Sequence, residues 1–371
     1  MSGTSPPGPV PTPRLASLDA LRGFDMMWIM GADALGSALS QFRGGGGARF
    51  AATQLDHVAW AGVRFYDLIF PLFVFMVGVA IPYSLDRIVA AGGRPDAVRR
   101  VARRTVLLFL LGIFYYGGFA TALHELRLLG VLQRIALCYG AASLAYLWMK
   151  PRGLVVTVCG ILIGYWALLT FVPVPGIGPP SYARGVNLAH YLDVHFLPGR
   201  SVSDTAEFEG SLLNTLGAVA NCLLGVFAGL LMQSGRLPAR RKVLWLGGGG
   251  ALSLALGYLW GLQFPIIKLL WTSSYVLVSC GYSAILLGGF YLVIDIWRIQ
   301  EWAQPLVWVG MNPLTIYLVA GIVSFPTVAQ RLLGGAVFFG AYGGVVVALA
   351  SLGLELWFVQ FLYSRKIFLR L

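Results

Sequence analysis

Gln54-Leu-Asp-His57-Val-Ala-Trp60-Ala-Gly-Val-Arg64-Phe-Tyr-Asp67-Leu-Ile-Phe-Pro71-Leu-Phe-Val-Phe-Met-Val-Gly-Val-Ala-Ile-Pro82-Tyr-Ser84 is the stretch from which the rest of the chain is read. A short polar and aromatic segment carrying His57 and Trp60 runs straight into an apolar span that opens on Asp67. The apolar part is long enough to enter a bilayer, where only helices and closed barrels satisfy their own backbone. An imidazole and a carboxylate therefore stand together at one membrane face. Ionisable groups at that depth are costly to keep and mark functional positions. Histidine is also the side chain best matched to proton transfer near neutral pH.

Outward from this stretch, the 371 residues are 58% hydrophobic and 11% charged, with a mean hydropathy of +0.76. Soluble domains carry about 25% charged residues. The apolar runs are too long and unbroken for barrel strands. The expected fold is an all-α polytopic membrane helix bundle of about ten transmembrane helices. The spans fall near residues 21–40, 67–85, 105–121, 129–149, 153–172, 211–233, 243–261, 271–294, 305–324 and 336–362. Residues 1–13, rich in Ser, Gly and Pro, read as a disordered tail without the charged n-region of a signal peptide. Residues 14–371 read as one membrane domain. Cys138, Cys159, Cys222 and Cys280 all lie in apolar runs, far apart in sequence, which points to core packing and to no metal site.

The net charge of +12 reads as cytoplasmic loop charge and excludes a nucleic-acid surface as its explanation. With the N-terminus in the cytoplasm, the Arg87–Arg104 loop, Lys150 with Arg152, Arg236 with Arg240–Lys242, Arg298, and Arg365 with Lys366 and Arg370 fall on that same side. Both termini are then cytoplasmic. The opposite face receives the His57 loop, residues 41–65, and a long loop, residues 173–210, that holds Asp193, Asp204, Glu207 and Glu209. A connection that long is functional or disordered. No internal repeat and no paired broken helices are visible.

Each polar motif has a plain structural reading beside a functional one. A lone interfacial histidine ordinarily bonds loop backbone, but His57 has Asp56 and Asp67 nearby and Trp60 and Trp28 to wall it. His124, His190 and His195 lie in external loops. Asp25 and Asp33 share a face of the first span, about 12 Å apart. They read as ion pairing within the bundle or as a polar passage, with Arg22 spaced to pair with Asp19. Gln133 and Arg134 lie inside the fourth span, where an arginine needs an anion or carbonyl partner. Glu207 and Glu209 read as helix-cap carboxylates before Asn214 and Asn221. Ser273, in Trp271-Thr-Ser-Ser-Tyr275, and Asn312, in Asn312-Pro-Leu-Thr-Ile-Tyr317, read as helix glue or as ligands. The arginines from Arg99 to Arg104 are topogenic, or hold anionic lipid or nucleotide phosphates.

Taken together, these motifs resemble the heparan-α-glucosaminide N-acetyltransferase family and its bacterial relatives. The resemblance rests on Arg14-Leu-Ala-Ser-Leu-Asp-Ala-Leu-Arg-Gly23, His57-Val-Ala-Trp60 and Asp67-Leu-Ile-Phe-Pro-Leu-Phe-Val-Phe75. Gly130-Val-Leu-Gln-Arg-Ile-Ala, Glu209-Gly210, Lys268-Leu-Leu-Trp-Thr-Ser-Ser274 and Asn312-Pro-Leu follow in the family's order. It extends over the chain after residue 13. It implies a membrane acyltransferase carrying acetyl groups from cytosolic acetyl-CoA to an extracytoplasmic amino sugar or glycan acceptor, often as a homodimer. The active histidine corresponds to His57. The chain resembles the short bacterial form, which implies a bacterial inner membrane. Asp33 departs from the family, standing where better-known members carry an acceptor-orienting asparagine.

On this reading CoA sits against Arg22 and some of Arg99, Arg100, Arg103 and Arg104, and its arm threads the bundle between the first, second and fourth spans. His57 acts as general base or as acyl carrier. Asp67 or Asp33 orients the imidazole. Gln133, Arg134, Asn214 or Ser273 stabilises the oxyanion, and Trp60 and Asn312 contribute to substrate binding. The rival from another class is a transporter or flippase of a polar or lipid-linked substrate.

Overall fold

The structure is a computed structural model that describes residues 15–41, 45–118, 122, 126–197, 211–334, 340 and 342–369. The expected N-terminal tail lies outside the described residues, as do Arg14, His124, Glu125, Asp204, Glu207, Glu209 and Arg370. Among the described residues the fold is helical, with two isolated bridges and no sheet.

The elements are α1 (Ala16–Gln41), α2 (Gly46–Gln54), α3 (Ile69–Tyr115), α4 (Val131–Trp148), α5 (Pro151–Phe171), α6 (Leu188–Phe196) and α7 (Asn214–Gln233). They continue with α8 (Ala239–Gly261), α9 (Ser273–Phe290), α10 (Gln304–Met311), α11 (Pro313–Ile322), α12 (Phe325–Leu332) and α13 (Gly343–Ser364). Among the described residues six helices are long and apolar enough to cross a membrane, or seven if α10 and α11 count as one bent span. The chain is thus an integral membrane protein. All ten stretches read as spans contain helix among the described residues, yet fewer pass that test, for physical reasons. α1 carries Asp19, Arg22, Asp25 and Asp33 along its length, and α4 has only 18 residues with Arg134 inside them.

The remaining difference is α3, which runs 47 residues as one element with a break at Gly93, φ 79 and ψ −177. Only glycine takes that conformation at no steric cost. Residues from both halves, Phe73 to Ser84 and Arg100 to Leu108, line one cavity. A straight helix would hold Phe73 and Leu108 roughly 50 Å apart, so α3 folds back on itself as two spans.

Both long loops hold a helix that hydrophobic periodicity did not reveal. α2 forms from Gly-Gly-Ala-Arg-Phe-Ala-Ala-Thr-Gln within the 41–65 segment. α6 starts at Asn187, whose side chain accepts the His190 N–H. The expected ninth span bends by 70° between α10 and α11, at Asn312-Pro313. Proline cannot continue the hydrogen-bond ladder and disfavours helix in the residue before it.

Small residues bring the helices into backbone contact. A Cβ on Gly310 would sit 1.8 Å from the Asp19 carbonyl oxygen, and one on Gly78 would sit 1.9 Å from that of Cys222. These contacts join α1 to α10 and α3 to α7. Asn221 adds polar glue. Its amide donates to the Pro71 carbonyl at 3.0 Å and its oxygen accepts from Ser279 at 3.1 Å, joining α3, α7 and α9.

Candidate active site

Three ionisable side chains meet at one end of the bundle. His57 Nδ1 lies 2.8 Å from Asp67 Oδ1. Asp67 is fully buried at the mouth of α3, while the His57 side chain is 46% exposed. Lys268 Nζ lies 3.2 Å from His57 Nδ1, 3.3 Å from Nε2 and 3.8 Å from Asp67 Oδ1, and its side chain is 5% exposed.

Local chemistry places each of them. A short 3₁₀ turn, Phe65–Leu68, precedes α3, and Asp67 Oδ2 caps it by accepting the Arg64 N–H at 3.0 Å and the Val58 N–H at 3.3 Å. Tyr275 at the start of α9 donates its hydroxyl to the Asp67 carbonyl at 2.6 Å. The imidazole stacks on the Tyr66 ring, 4.6 Å between centroids and 11° apart. The Arg64 guanidinium donates to the His57 carbonyl at 2.9 Å and to Asp56 Oδ2 at 3.2 Å. Lys268 arrives from far along the chain because the 264–272 segment pairs with the His57 loop. The Gly62 N–H donates to the Ile266 carbonyl at 2.8 Å, and Ala61 and Ile267 form an isolated antiparallel bridge. Gly62 takes φ 113, which favours glycine.

With Asp67 accepting from Nδ1–H, the imidazole keeps its lone pair on Nε2. Nε2 thereby keeps the lone pair that takes a proton or attacks a carbonyl, with the Lys268 ammonium 3.3 Å away. This is the orienting logic of a base held by a carboxylate.

A second feature lies behind α3. A cavity of about 360 Å³ is lined by Arg22, Arg100 and Arg104 at one end and by Phe70, Phe73, Ile135, Leu314 and Tyr317 further along. From Ser84 to Phe70 it follows α3 for roughly 21 Å. Phe70 stands at its far end, one turn from Asp67, and its ring meets Trp271 edge-on at 5.4 Å. Arg104 lies over the Tyr139 ring at 4.6 Å. Arg22 donates to the Gly310 carbonyl at 3.3 Å and to Asp19 at 3.4 Å.

The other residues singled out by the sequence separate into three groups. Asp33 shares a polar pocket of about 430 Å³ with Asp56, Ser37, Ser40 and Thr53, between α1 and α2 and next to the His57 loop. Trp60 donates from its indole to the Tyr182 carbonyl at 3.0 Å, anchoring that loop to the 173–197 segment. Arg134, Asn214 and Ser273 form a buried layer behind Lys268 and have no hydrogen bond to the imidazole among the described contacts. Arg134 donates to Asn214 Oδ1 at 2.6 Å and lies over Trp271, and the Asn214 amide donates to the Leu269 carbonyl at 2.7 Å. The Ser273 hydroxyl donates to the Leu162 carbonyl at 2.7 Å. Burial pushes the neighbouring Asp193 carboxyl above the ordinary carboxylate range, and bonds from Leu212 and Ser211 together with Arg134 draw it back.

Gln133 is buried and donates to the Arg127 carbonyl at 2.9 Å. Arg103 is exposed and does not line the cavity, although Arg104 next to it does. Asn312 is buried at the α10–α11 bend between the cavity residues Met311 and Pro313. Sequence reasoning missed Lys268 as a site residue. Its signal was present, as a lone lysine in the apolar run Pro265-Ile-Ile-Lys-Leu-Leu-Trp271. Among the described residues no cluster of three or more His, Cys, Asp or Glu forms a metal-binding group.

Fold and site define a polytopic helical membrane protein with a carboxylate-held histidine at one end and an arginine-lined cavity that reaches Phe70, one turn from Asp67. Residues 14–176 match a domain of unknown function, DUF5009. The chain is similar to heparan-alpha-glucosaminide N-acetyltransferase of Homo sapiens, 27% identical over 82% of this chain and 52% of that protein. The Mus musculus protein of the same name is 25% identical over 82% of this chain and 53% of its own length. The chain spans about half the length of the curated relatives it matches. The resemblance carried by the motifs is thereby met by distant homology along most of the chain.

Proposed function

We propose that this protein is a transmembrane acetyltransferase, moving an acetyl group from cytosolic acetyl-CoA to an extracytoplasmic amino sugar or glycan. The observation that carries the reading is the cavity lined by Arg22, Arg100 and Arg104 and, one turn from Asp67, by Phe70, together with the His57–Asp67–Lys268 cluster. The positive-inside rule supports a cytoplasmic arginine end with His57 outside, and we propose a bacterial inner membrane as the location. The names of the distant relatives support the same chemistry.

Arg22, Arg100 and Arg104 bind the CoA phosphates with charge-assisted bonds. The pantetheine arm lies along the apolar wall and brings the thioester past Phe70. His57 Nε2 takes the proton from the acceptor amine or hydroxyl as that atom attacks the thioester carbonyl. The new C–N or C–O bond forms, the C–S bond breaks, and the proton passes to the departing CoA as its thiol. Asp67 holds the imidazole tautomer, and the Lys268 ammonium faces the carbonyl oxygen as it gains charge.

The test is acetyl transfer in sealed proteoliposomes, with labelled acetyl-CoA on the arginine side and glucosamine on the other. Transfer by wild type and none by His57→Ala, at equal folding, is the expected result. Near-normal turnover by His57→Ala overturns the mechanism. A hydroxylamine-labile acetyl group on His57 after donor alone would replace the general-base route with acyl-histidine. The bent α10–α11 pair favours one rival, a transporter, since discontinuous helices build substrate sites at mid-membrane. Glucosamine uptake without donor would favour it.

A further inference from the structure

A second pocket lies against the His57 loop, on the α8–α9 side. It has a volume of about 380 Å³ and is walled by Ile69, Leu72, Ile285 and Leu286, with Arg64 at its rim. That volume lies within the range of ligand sites. Tyr258 and Ile285, which line it, are 43% and 38% exposed on the lipid-facing side of α8 and α9. An apolar groove with such an opening within a bilayer has hydrocarbon as its natural occupant.

Its position matters more than its size. Arg64, among the described residues lining this groove the one that is charged, donates to Asp56, and Asp56 lines the polar pocket that also holds Asp33, Ser37, Ser40 and Thr53. The Arg64–Asp56 pair is therefore the divide between an apolar groove and an acidic, hydroxyl-bearing pocket. His57 sits on that divide, because its N–H donates to Asp56 at 2.8 Å and its carbonyl accepts from Arg64. The two carboxylates complement a protonated amine and the hydroxyls complement sugar oxygens, whereas the groove complements a chain. One molecule with both parts spans the two pockets and crosses the loop that carries His57.

We infer that the acceptor is amphiphilic, a lipid-anchored amine or amino sugar with its chain between α3 and α9 and its head group in the Asp33–Asp56 pocket. This rests on the acetyl-transfer reading and narrows its acceptor class. The head-group ammonium first gives up one proton to water. The neutral amine then loses a second to His57 Nε2 as it takes the acetyl group and CoA leaves as its thiol, while the chain stays in the outer leaflet.

The experiment compares decyl glucosaminide with methyl glucosaminide as acceptors, in wild type and in Ile285→Trp, whose indole fills the groove. In wild type the decyl compound is expected to show a KM about tenfold or more below the methyl compound, the effect of burying a few methylenes. Ile285→Trp is expected to remove that advantage and leave methyl glucosaminide transfer unchanged. Equal KM values in wild type overturn the inference while leaving acetyl transfer standing. A decyl advantage that survives Ile285→Trp is partition into the membrane only, and also overturns it. If neither compound is acetylated, the parent reading fails separately, and photolabelling decides the groove. A diazirine-tailed decyl glucosaminide should label the 282–286 segment and be competed by the decyl but not the methyl compound. Label spread evenly over lipid-facing helices overturns the inference.

Discussion

Asp67→Asn is the most informative single change, because the carboxylate accepts at both ends. Oδ1 accepts from His57 Nδ1 at 2.8 Å, while Oδ2 accepts two backbone N–H groups, from Arg64 and Val58. An amide has one acceptor end and one donor end. If its NH₂ replaces Oδ2, it faces two N–H donors in a buried site. Two bonds of about 0.5–1.5 kcal/mol each are lost, and the orphaned donors add about 1–3 kcal/mol apiece. If the amide turns the other way, both backbone bonds survive and the NH₂ points at His57 Nδ1. The second orientation is lower in energy by several kcal/mol, so it is the one adopted. Nδ1 must then accept, the ring proton moves to Nε2, and the base lone pair no longer faces the substrate. The expected loss is about 10²–10⁴ in kcat, the scale seen when a catalytic histidine loses its orienting carboxylate. Thermal stability should fall as well, because the backbone bonds persist but Lys268, 5% exposed and 3.8 Å from Asp67 Oδ1, loses its counter-charge. The assay is initial-rate acetyl transfer beside a melting curve for the detergent-solubilised protein. A variant that keeps its rate within about threefold while folding normally would refute the assignment of Asp67 as the orienting group.

Other consequences of the geometry are open to similar tests. Lys268→Met keeps the length of the side chain but removes the ammonium 3.3 Å from Nε2, and kcat should fall about 10²-fold with KM for donor unchanged. An unchanged kcat would remove Lys268 from the chemistry. Arg104→Ala should weaken acetyl-CoA binding about tenfold, the worth of one charge-assisted bond, whereas Arg103→Ala, outside the cavity, should bind donor like wild type in a calorimetric titration. Gly310→Ala pushes a Cβ to 1.8 Å from the Asp19 carbonyl oxygen. It should separate α1 from α10 and lower the melting temperature, with a cost of about 1–3 kcal/mol from overpacking.

Much of the site was legible because its chemistry is local. His57 and Asp67 lie ten residues apart on one connection, so their meeting at a helix mouth follows from the hydrophobic boundary alone. Arg22 and Arg104 were readable as charged helix-end residues for a similar reason, and both line the cavity. Other motifs were ambiguous in principle. Asn214, Ser273 and Arg134 are polar residues in apolar helices, a pattern shared by ligand groups and by structural glue. Their bonds to Leu269, Leu162 and one another place them in the layer that holds the Lys268 segment. Asn312 carried a readable break in Asn-Pro, but the 70° bend it accompanies depends on what packs around it.

Composition and hydrophobic run length, by themselves, determined that this chain is a helical membrane bundle, because lipid leaves the backbone almost no other way to satisfy its hydrogen bonds. Loop charge supports the expectation that the His57 end of its span faces outward. Tertiary structure alone decided which distant groups share the imidazole's surroundings. Lys268 stands 211 residues from His57, and no periodicity links two loops that meet through one backbone bridge. The same holds for the three arginines at the cavity mouth. Whether Arg104 or Arg103 faces inward follows from how α3 folds back at Gly93 and packs on α4, and side-chain direction on a helix changes by about 100° with each residue.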